Sequence, residues 1–212
     1  MWLKVCGICS VEDALAAAEC GAQAIGLNFV PRSPRCLSVG LGAQIATQLR
    51  GSVEVIGVVA DLGIQAMLSL KEKVGLDTLQ LHGRESSDDL VVVQPHAYKA
   101  LRVATPEDVE LADQYEGDRL LVDAKVSGLL GGSGQAFDWS LVVALAQRRR
   151  IVLAGGLHEA NVAEAVLTVA PWGVDVASGV EVRGEPRRKD PERLRRFAAA
   201  VRAAAARLPR AD

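Results

Sequence analysis

The segment Trp2-Leu-Lys-Val-Cys-Gly-Ile-Cys-Ser10 runs from an apolar strand pattern, through a glycine, to a serine that precedes a helical pattern. Similar strand-then-helix units recur roughly every 25 residues along the chain. The predicted strands are 3–6, 24–29, 54–60, 78–82, 97–103, 119–123, 151–154 and 173–177. The predicted helices are 11–20, 42–49, 64–74, 87–93, 106–114, 139–146, 159–169 and 191–208. This alternation predicts an α/β fold, a (β/α)8 TIM barrel, which we expect to form one domain over residues 1–212.

An open, doubly wound parallel sheet is the structural alternative, because its strands have the same nearly continuous apolar runs. No G-x-G-x-x-G motif follows the first predicted strand, which disfavours that alternative. The predicted helix starts are consistent with the barrel. Ser10 and Asp190 are residue types that cap helices, and Pro191 follows at a first helical position.

The composition predicts a globular protein that does not act on nucleic acid. The 212 residues are 50% hydrophobic and 24% charged, and the formal net charge is -2, so no global basic field is present. No stretch is apolar enough to span a bilayer and no signal-peptide pattern begins the chain, so we expect a cytoplasmic protein without membrane partners. All four cysteines are expected to be free thiols.

Cys6 ends the first predicted strand, and strand ends carry the functional groups of this fold. Three interpretations are open: a general base whose pKa is lowered by a lysine or a helix N-terminus, half of a redox or metal pair with Cys9, or a small buried residue. No second cysteine pair or nearby histidine completes a metal site, and eight β/α units exceed a thioredoxin-like unit. The paired-cysteine interpretation is therefore disfavoured.

Asp123 ends the sixth predicted strand, after an apolar run. An unpaired carboxylate buried there would have a raised pKa, as a general acid requires. A helix cap or a salt bridge is the alternative, and the cap is the weaker one because the next predicted helix begins much later. The stretch Gly128-Leu-Leu-Gly-Gly-Ser-Gly134 lies between Asp123 and the next predicted helix. It is either a loop that closes over substrate or a plain linker.

Small residues follow the last two predicted strands, at Gly155 and Gly156 and at Ser178 and Gly179. They let backbone N–H groups approach an anion, and barrels frequently hold phosphate at this pair of loops. We therefore expect a small-molecule substrate that carries a phosphate.

The loop after the second predicted strand holds Arg32 and Arg35 between two prolines. A guanidinium held in this way suits a carboxylate, although a solvated loop arginine is an equal interpretation. His82 ends the fourth predicted strand and could line the site. The other two histidines, His96 and His158, are expected at surface or cap positions.

Six motifs in order resemble the phosphoribosylanthranilate isomerase family of tryptophan biosynthesis, over essentially the whole chain. They are Lys4-Val-Cys-Gly-Ile8, Ser33-Pro-Arg35, Gln80-Leu-His-Gly83, Asp123 followed by Gly131-Gly-Ser-Gly134 and Phe137-Asp-Trp139, Leu153-Ala-Gly-Gly-Leu157, and Ser178-Gly-Val-Glu181. Departures are small: Ser133 stands where the family usually has threonine, and extra basic residues around 183–190 are expected to be surface residues.

The resemblance implies a cofactor-free Amadori rearrangement of N-(5'-phosphoribosyl)anthranilate to 1-(2-carboxyphenylamino)-1-deoxyribulose 5-phosphate. It implies that Asp123 protonates the ring oxygen and that Cys6 removes the C2' proton. It also implies that Arg35 binds the anthranilate carboxylate and that the backbone around Gly155, Gly156, Ser178 and Gly179 binds phosphate. No metal is implied, and either a monomer or a homodimer is expected.

Two rival functions are weighed against this one. The first is a sugar isomerase of histidine biosynthesis, or a dual-specificity enzyme. That family resembles this one in fold, but it has an aspartate at the position of Cys6 and binds a substrate with two phosphates. A non-catalytic sugar-phosphate-binding barrel would be expected to lose one member of the acid–base pair, and both are present.

Overall fold

A computed structural model describes residues 1–124 and 138–209 of the chain. Its main feature is a closed barrel of eight parallel strands in sequence order. The strands are β1 (Trp2–Cys6), β2 (Ala24–Asn28), β3 (Glu54–Val59), β4 (Thr78–Leu81), β5 (Ala97–Val103), β6 (Leu120–Ala124), β7 (Ile151–Ala154) and β8 (Gly173–Val176). Because β1 pairs with both β2 and β8, the predicted barrel is confirmed and the open sheet is wrong.

Helices pack around the barrel and follow the predicted alternation. In the described residues they are α1 (Val11–Glu19), α2 (Val39–Leu49), α3 (Ile64–Val74), α4 (Ser87–Val93), α5 (Pro106–Glu110), α6 (Val143–Arg148), α7 (Val162–Val169) and α8 (Pro191–Ala205). None of these helices has both the length and the apolar character needed to cross a membrane.

Local capping explains where the helices begin. Ser10 Oγ accepts from the Asp13 amide over 3.1 Å, and Asp190 Oδ1 accepts from the first turn of α8, so both predicted caps are confirmed. Helix α2 begins earlier than predicted, since Ser38 caps it. Helix α7 begins later than predicted because Asn161 Oδ1 accepts from the His158 amide in a turn that precedes the helix.

Two predicted helices are divided. Helix α5 continues into a 3-10 helix at Leu111–Gln114, and α6 is preceded by one at Trp139–Val142. A hairpin of β9 (Glu181–Val182) and β10 (Glu185–Lys189), which the sequence did not predict, leads into α8. The extra arginines of this hairpin are exposed as expected, but Lys189 is buried, with Nζ 3.0 Å from Glu181 Oε1.

An arginine closes the amino-terminal end of the barrel. The Arg119 guanidinium lies 5.0 Å from the ring centre of Trp2, 4.6 Å from that of Tyr98 and 5.9 Å from that of Trp172. It also forms an ion pair with Glu54. A stacked, charge-paired cluster therefore lies at this end, beside a cleft of about 340 Å³ that Glu54, Tyr98 and Arg119 help to line. A cleft of about 410 Å³ lies at the carboxyl ends of the strands.

Candidate active site

A cleft of about 410 Å³ opens at the carboxyl ends of the strands. Seven of the eight residues predicted from the sequence line it. They are Cys6, Arg35, His82, Asp123, Gly155, Gly156 and Ser178. The eighth, Gly179, lines an adjoining cleft of about 280 Å³ together with Gly156 and Ser178. The structure thus brings the whole predicted set to one mouth of the barrel.

Cys6 stands at the last position of β1, partly exposed to the cleft. Space for its thiol comes from Gly26 on the neighbouring strand, where an added Cβ would lie only 2.7 Å from Cys6 Sγ. Burial raises the pKa of Cys6, while the nearby ammonium groups of Lys4 and Lys189 act in the opposite direction. The expected lysine is therefore present, but burial outweighs it, so the pKa of Cys6 is raised rather than lowered as predicted, which favours the neutral thiol.

Lys4 and Asp175 form a buried ion pair inside the barrel. They are register partners on β1 and β8, and Lys4 Nζ lies 2.9 Å from Asp175 Oδ2. Burial alone would lower the pKa of Lys4, but the attraction of Asp175 reverses this and raises it, so the lysine keeps its charge. Asp175 also lines the cleft, and its buried Oδ1 has no hydrogen-bond partner among the described residues.

Asp123 lies at the mouth of the cleft, where β6 ends. Its side chain is 32% exposed, and His82 Nε2 lies 3.3 Å from its Oδ2. The expectation of a buried, unpaired carboxylate is therefore wrong, because the strand end reaches the open rim and His82, which directly follows β4, lies beside it. The other side of the His82 ring meets Gln80, whose Nε2 is 2.9 Å from Nδ1.

Arg35 is paired with a protein carboxylate. Its Nε and Nη2 donate to Glu181 over 2.6 and 2.7 Å, and Lys189 Nζ donates to the same carboxylate. The alkyl part of Arg35 lies against Gly7, where an added Cβ would be 2.3 Å from Arg35 Cδ. Its role toward a substrate carboxylate stays a prediction. Arg35 Nη1 makes no hydrogen bond to the described residues, so this nitrogen could donate to a substrate carboxylate.

The glycines of the two predicted phosphate loops have special backbone requirements. Gly155 and Gly156 have φ values of +88° and +64°, which favour glycine. An added Cβ at Gly179 would lie 2.0 Å from the Leu157 carbonyl oxygen, so the two loops touch there. Arg193 of α8 lines the same space, which brings a cation to these loops.

The alternative uses of Cys6 find no support in the described residues. Cys6, Cys9, Cys20 and Cys36 are free, and Cys9 Sγ lies 3.6 Å from the carbonyl oxygens of Gly7 and Arg35. No cluster of three or more potential metal ligands occurs in residues 1–124 and 138–209. His96 and His158 are exposed, as predicted. The predicted glycine-rich stretch 128–134 and Phe137 lie outside the described residues.

Comparison with known proteins assigns the chain to a family. The family model for N-(5'-phosphoribosyl)anthranilate isomerase matches residues 3–200. The chain belongs to the phosphoribosylanthranilate isomerase family. A family member from Geobacter sp. is 43% identical over 197 residues, which cover 93% of this chain and 96% of that protein. One from Pseudomonas putida is 43% identical over 204 residues, covering 95% of this chain and 97% of that protein.

Solved structures of phosphoribosylanthranilate isomerases have the same fold. The enzyme from Thermotoga maritima has a TM-score of 0.87 at 34% identity, covering 96% of this chain and 99% of that one. A phosphoribosylanthranilate isomerase in complex with reduced 1-(o-carboxyphenylamino)-1-deoxyribulose 5-phosphate has a TM-score of 0.84 at 32% identity, with the same coverage. The family assignment favours an isomerase of tryptophan biosynthesis over the histidine-pathway and non-catalytic alternatives.

In this phosphoribosylanthranilate isomerase barrel, the site is supported by further residues to which the sequence analysis assigned no role, although Lys4, Gln80 and Glu181 lie in the motifs quoted there. They are Lys4, Gln80, Tyr98, Asp175, Glu181, Lys189 and Arg193. One signal was available: Lys4 and Asp175 are charged residues inside otherwise apolar strands, and a charge in such a place needs a partner.

Proposed function

We propose that Cys6 and Asp123 are the general base and general acid with which this chain performs the reaction of its family. The reaction is the conversion of N-(5'-phosphoribosyl)anthranilate to 1-(2-carboxyphenylamino)-1-deoxyribulose 5-phosphate. The observation that carries the proposal is that the two side chains line one cleft from the ends of β1 and β6, two strands that are not neighbours. A sugar bound between them could receive a proton on one side and lose one on the other.

The first step is ring opening. Asp123, as the carboxylic acid, gives its proton to the furanose ring oxygen, the bond from this oxygen to C1' breaks, and the anthranilate nitrogen supplies the electron pair that forms a protonated Schiff base. The position of Asp123 at the exposed rim, with His82 beside it, suits a group that must give up a proton and later regain one.

The second step is proton removal from C2'. The Cys6 thiolate takes this proton, and the electrons of the broken C–H bond neutralise the iminium to give an enolamine, which tautomerises to the ketone product. Burial opposes the thiolate, whereas Lys4 and Lys189 favour it electrostatically. A cationic Schiff base in the cleft would add a further positive charge at the moment when the thiolate is needed.

The rest of the cleft suits the remaining charges of the substrate. Backbone N–H groups around Gly155, Gly156, Ser178 and Gly179 are proposed to bind the phosphate, with Arg193 nearby. Arg35 is proposed to bind the anthranilate carboxylate through its Nη1 edge while Glu181 holds the other edge. No cofactor has a role in these steps.

The proposal also covers domain organisation, cellular location and oligomeric state. We propose one domain over residues 1–212, supported by the pairing of β1 with β8, and a cytoplasmic place of action in amino-acid biosynthesis. Its partner is a phosphorylated small molecule, and the chain acts as a monomer or a homodimer. The Thermotoga maritima isomerase is described as dimeric and has been turned into monomers, so both states are known for a relative.

Complementation tests the function directly. A tryptophan auxotroph that lacks the isomerase should grow without tryptophan when it expresses this chain, and should not grow when it expresses the Cys6→Ser variant. Purified protein should convert N-(5'-phosphoribosyl)anthranilate and show far lower turnover of the histidine-pathway substrate. Comparable turnover of both substrates would contradict the proposal and favour a dual-specificity enzyme.

A further inference from the structure

A row of three side chains leads from the barrel interior to Asp123. Tyr98 Oη donates to Gln80 Oε1 over 2.9 Å, Gln80 Nε2 lies 2.9 Å from His82 Nδ1, and His82 Nε2 lies 3.3 Å from Asp123 Oδ2. Tyr98 and Gln80 are only 3% and 2% exposed. The row therefore begins in the core and ends at the rim of the cleft.

The sheet itself builds this row. Gln80 and Tyr98 are register partners on β4 and β5, so their side chains lie next to each other on one face. His82 follows Gln80 by two residues and therefore lies on the same face, one layer closer to the mouth of the barrel. The contacts result from strand register rather than from loop placement.

The direction of the hydrogen bonds follows from the chemistry of the groups. Burial raises the pKa of the Tyr98 phenol, so it stays protonated and acts as a donor. With the Gln80 carbonyl oxygen turned to this donor, the amide nitrogen faces His82, and an amide nitrogen can only donate. His82 Nδ1 must therefore accept, and a neutral imidazole that accepts at Nδ1 carries its proton on Nε2. That nitrogen faces Asp123.

We propose that Gln80 is a positioning residue that fixes the Nε2–H tautomer of His82, so that His82 donates to Asp123 as this acid releases its proton. This inference rests on the proposed role of Asp123 as the general acid. Asp123 changes from a neutral acid to a carboxylate during ring opening. A hydrogen bond from Nε2–H then becomes charge-assisted and stronger, and it stabilises the transition state more than the bound substrate.

The opposite tautomer would work against the reaction. A bare Nε2 next to Asp123 would accept the acidic proton itself and hold it away from the sugar. With the proton on Nε2, the Oδ2 atom of Asp123 is occupied as an acceptor, so Oδ1 is left to carry the proton that the substrate receives. The distance of 3.3 Å is slightly long for a hydrogen bond, and such contacts commonly shorten when substrate binds.

The test reads the tautomer directly in nitrogen-15-labelled protein without ligand. Ring nitrogen resonances of His82, assigned by their loss in His82→Gln, should show the neutral ring protonated on Nε2. Gln80→Glu places an acceptor opposite Nδ1, so the ring should become protonated there. Gln80→Met, which has neither donor nor acceptor, should leave a mixture of tautomers. Tyr98→Phe keeps the packing but frees the amide to turn, and should weaken the preference in the same direction.

Steady-state kinetics complete the test. Gln80→Glu should lower kcat by about 10- to 100-fold while KM changes less than about threefold. Tyr98→Phe should follow with a smaller loss of kcat, and the melting temperature of each variant shows that the fold is kept.

Two results would overturn the inference: a wild-type ring protonated on Nδ1, or full kcat in Gln80→Glu, whether or not its tautomer changes. Failure of the proposed function would look different. It would appear as full turnover by Asp123→Asn, whatever the tautomer of His82 in the free protein.

Discussion

Lys4 lies one layer below Cys6 on the same face of β1, and its ammonium group is bound to Asp175 of β8 at 2.9 Å. The cation that favours the Cys6 thiolate is therefore held in place by a carboxylate that disfavours it. The two charges of the pair shift the pKa of Cys6 in opposite directions. Substitution of one or the other residue is therefore expected to change this pKa with opposite signs.

The pKa of Cys6 should respond to this pair. Lys4→Met removes the favourable charge and should raise the pKa of Cys6 further, whereas Asp175→Asn removes the unfavourable charge and should lower it. The measurement is the pH dependence of Cys6 alkylation, followed by mass spectrometry, since only the thiolate reacts. The alkylation curve should move to higher pH for the first variant and to lower pH for the second. Shifts of the same sign in both variants would contradict the electrostatic account.

The acid and the base should each be needed for turnover. Cys6→Ser and Asp123→Asn should each lower kcat by about 10²- to 10⁴-fold with much smaller changes in KM, because both groups are proposed to transfer protons in the transition state. Cys20→Ser and Asp118→Asn are matched controls away from the cleft and should retain normal kcat. Near-normal turnover in either site variant would remove that residue from its assigned role.

The contact between the two phosphate loops should control substrate affinity. Gly179→Ala places a methyl group 2.0 Å from the Leu157 carbonyl oxygen, so the loops must separate. We expect kcat/KM to fall by about 100-fold, mainly through KM. Gly40→Ala is the control, because an added Cβ there meets no atom within 4 Å and lies in α2. Equal kinetics of the two variants would argue against phosphate binding at this junction.

The amino-terminal cluster should stabilise the fold. Arg119→Met removes a guanidinium that contacts three aromatic rings and leaves Glu54 unpaired, which should lower the free energy of unfolding by about 2–3 kcal/mol. Arg148→Met, which breaks an exposed pair with Asp113 away from these rings, should have a much smaller effect. Denaturant unfolding measures both variants. A loss of kcat in Arg119→Met that the control does not show would mean that the cluster acts on the site through Tyr98, which contacts Arg119 and begins the row to Asp123.

The barrel and its strand ends could be predicted because they follow from hydrophobic periodicity, which is a local property of the chain. The location of Cys6, His82 and Asp123 at the cleft could be predicted because strand ends meet at one mouth of this fold, while their functional roles stay predictions. The supporting contacts could not be predicted in the same way. Lys4 and Asp175 are separated by 171 residues, and their contact depends on barrel closure and register. The β9–β10 hairpin was missed because its strands are short and largely polar.

The placement of Arg119 has a consequence for how such an enzyme can change over time. Its cluster lies at one mouth of the barrel, and the cleft with its lining loops occupies the other. Tyr98 is the residue that the cluster shares with the row to Asp123. Substitutions elsewhere in the cluster can accumulate while the open end is altered, and the converse also holds. This division of labour makes the scaffold evolvable: a new substrate can be accommodated at one rim while thermal tolerance is adjusted at the other.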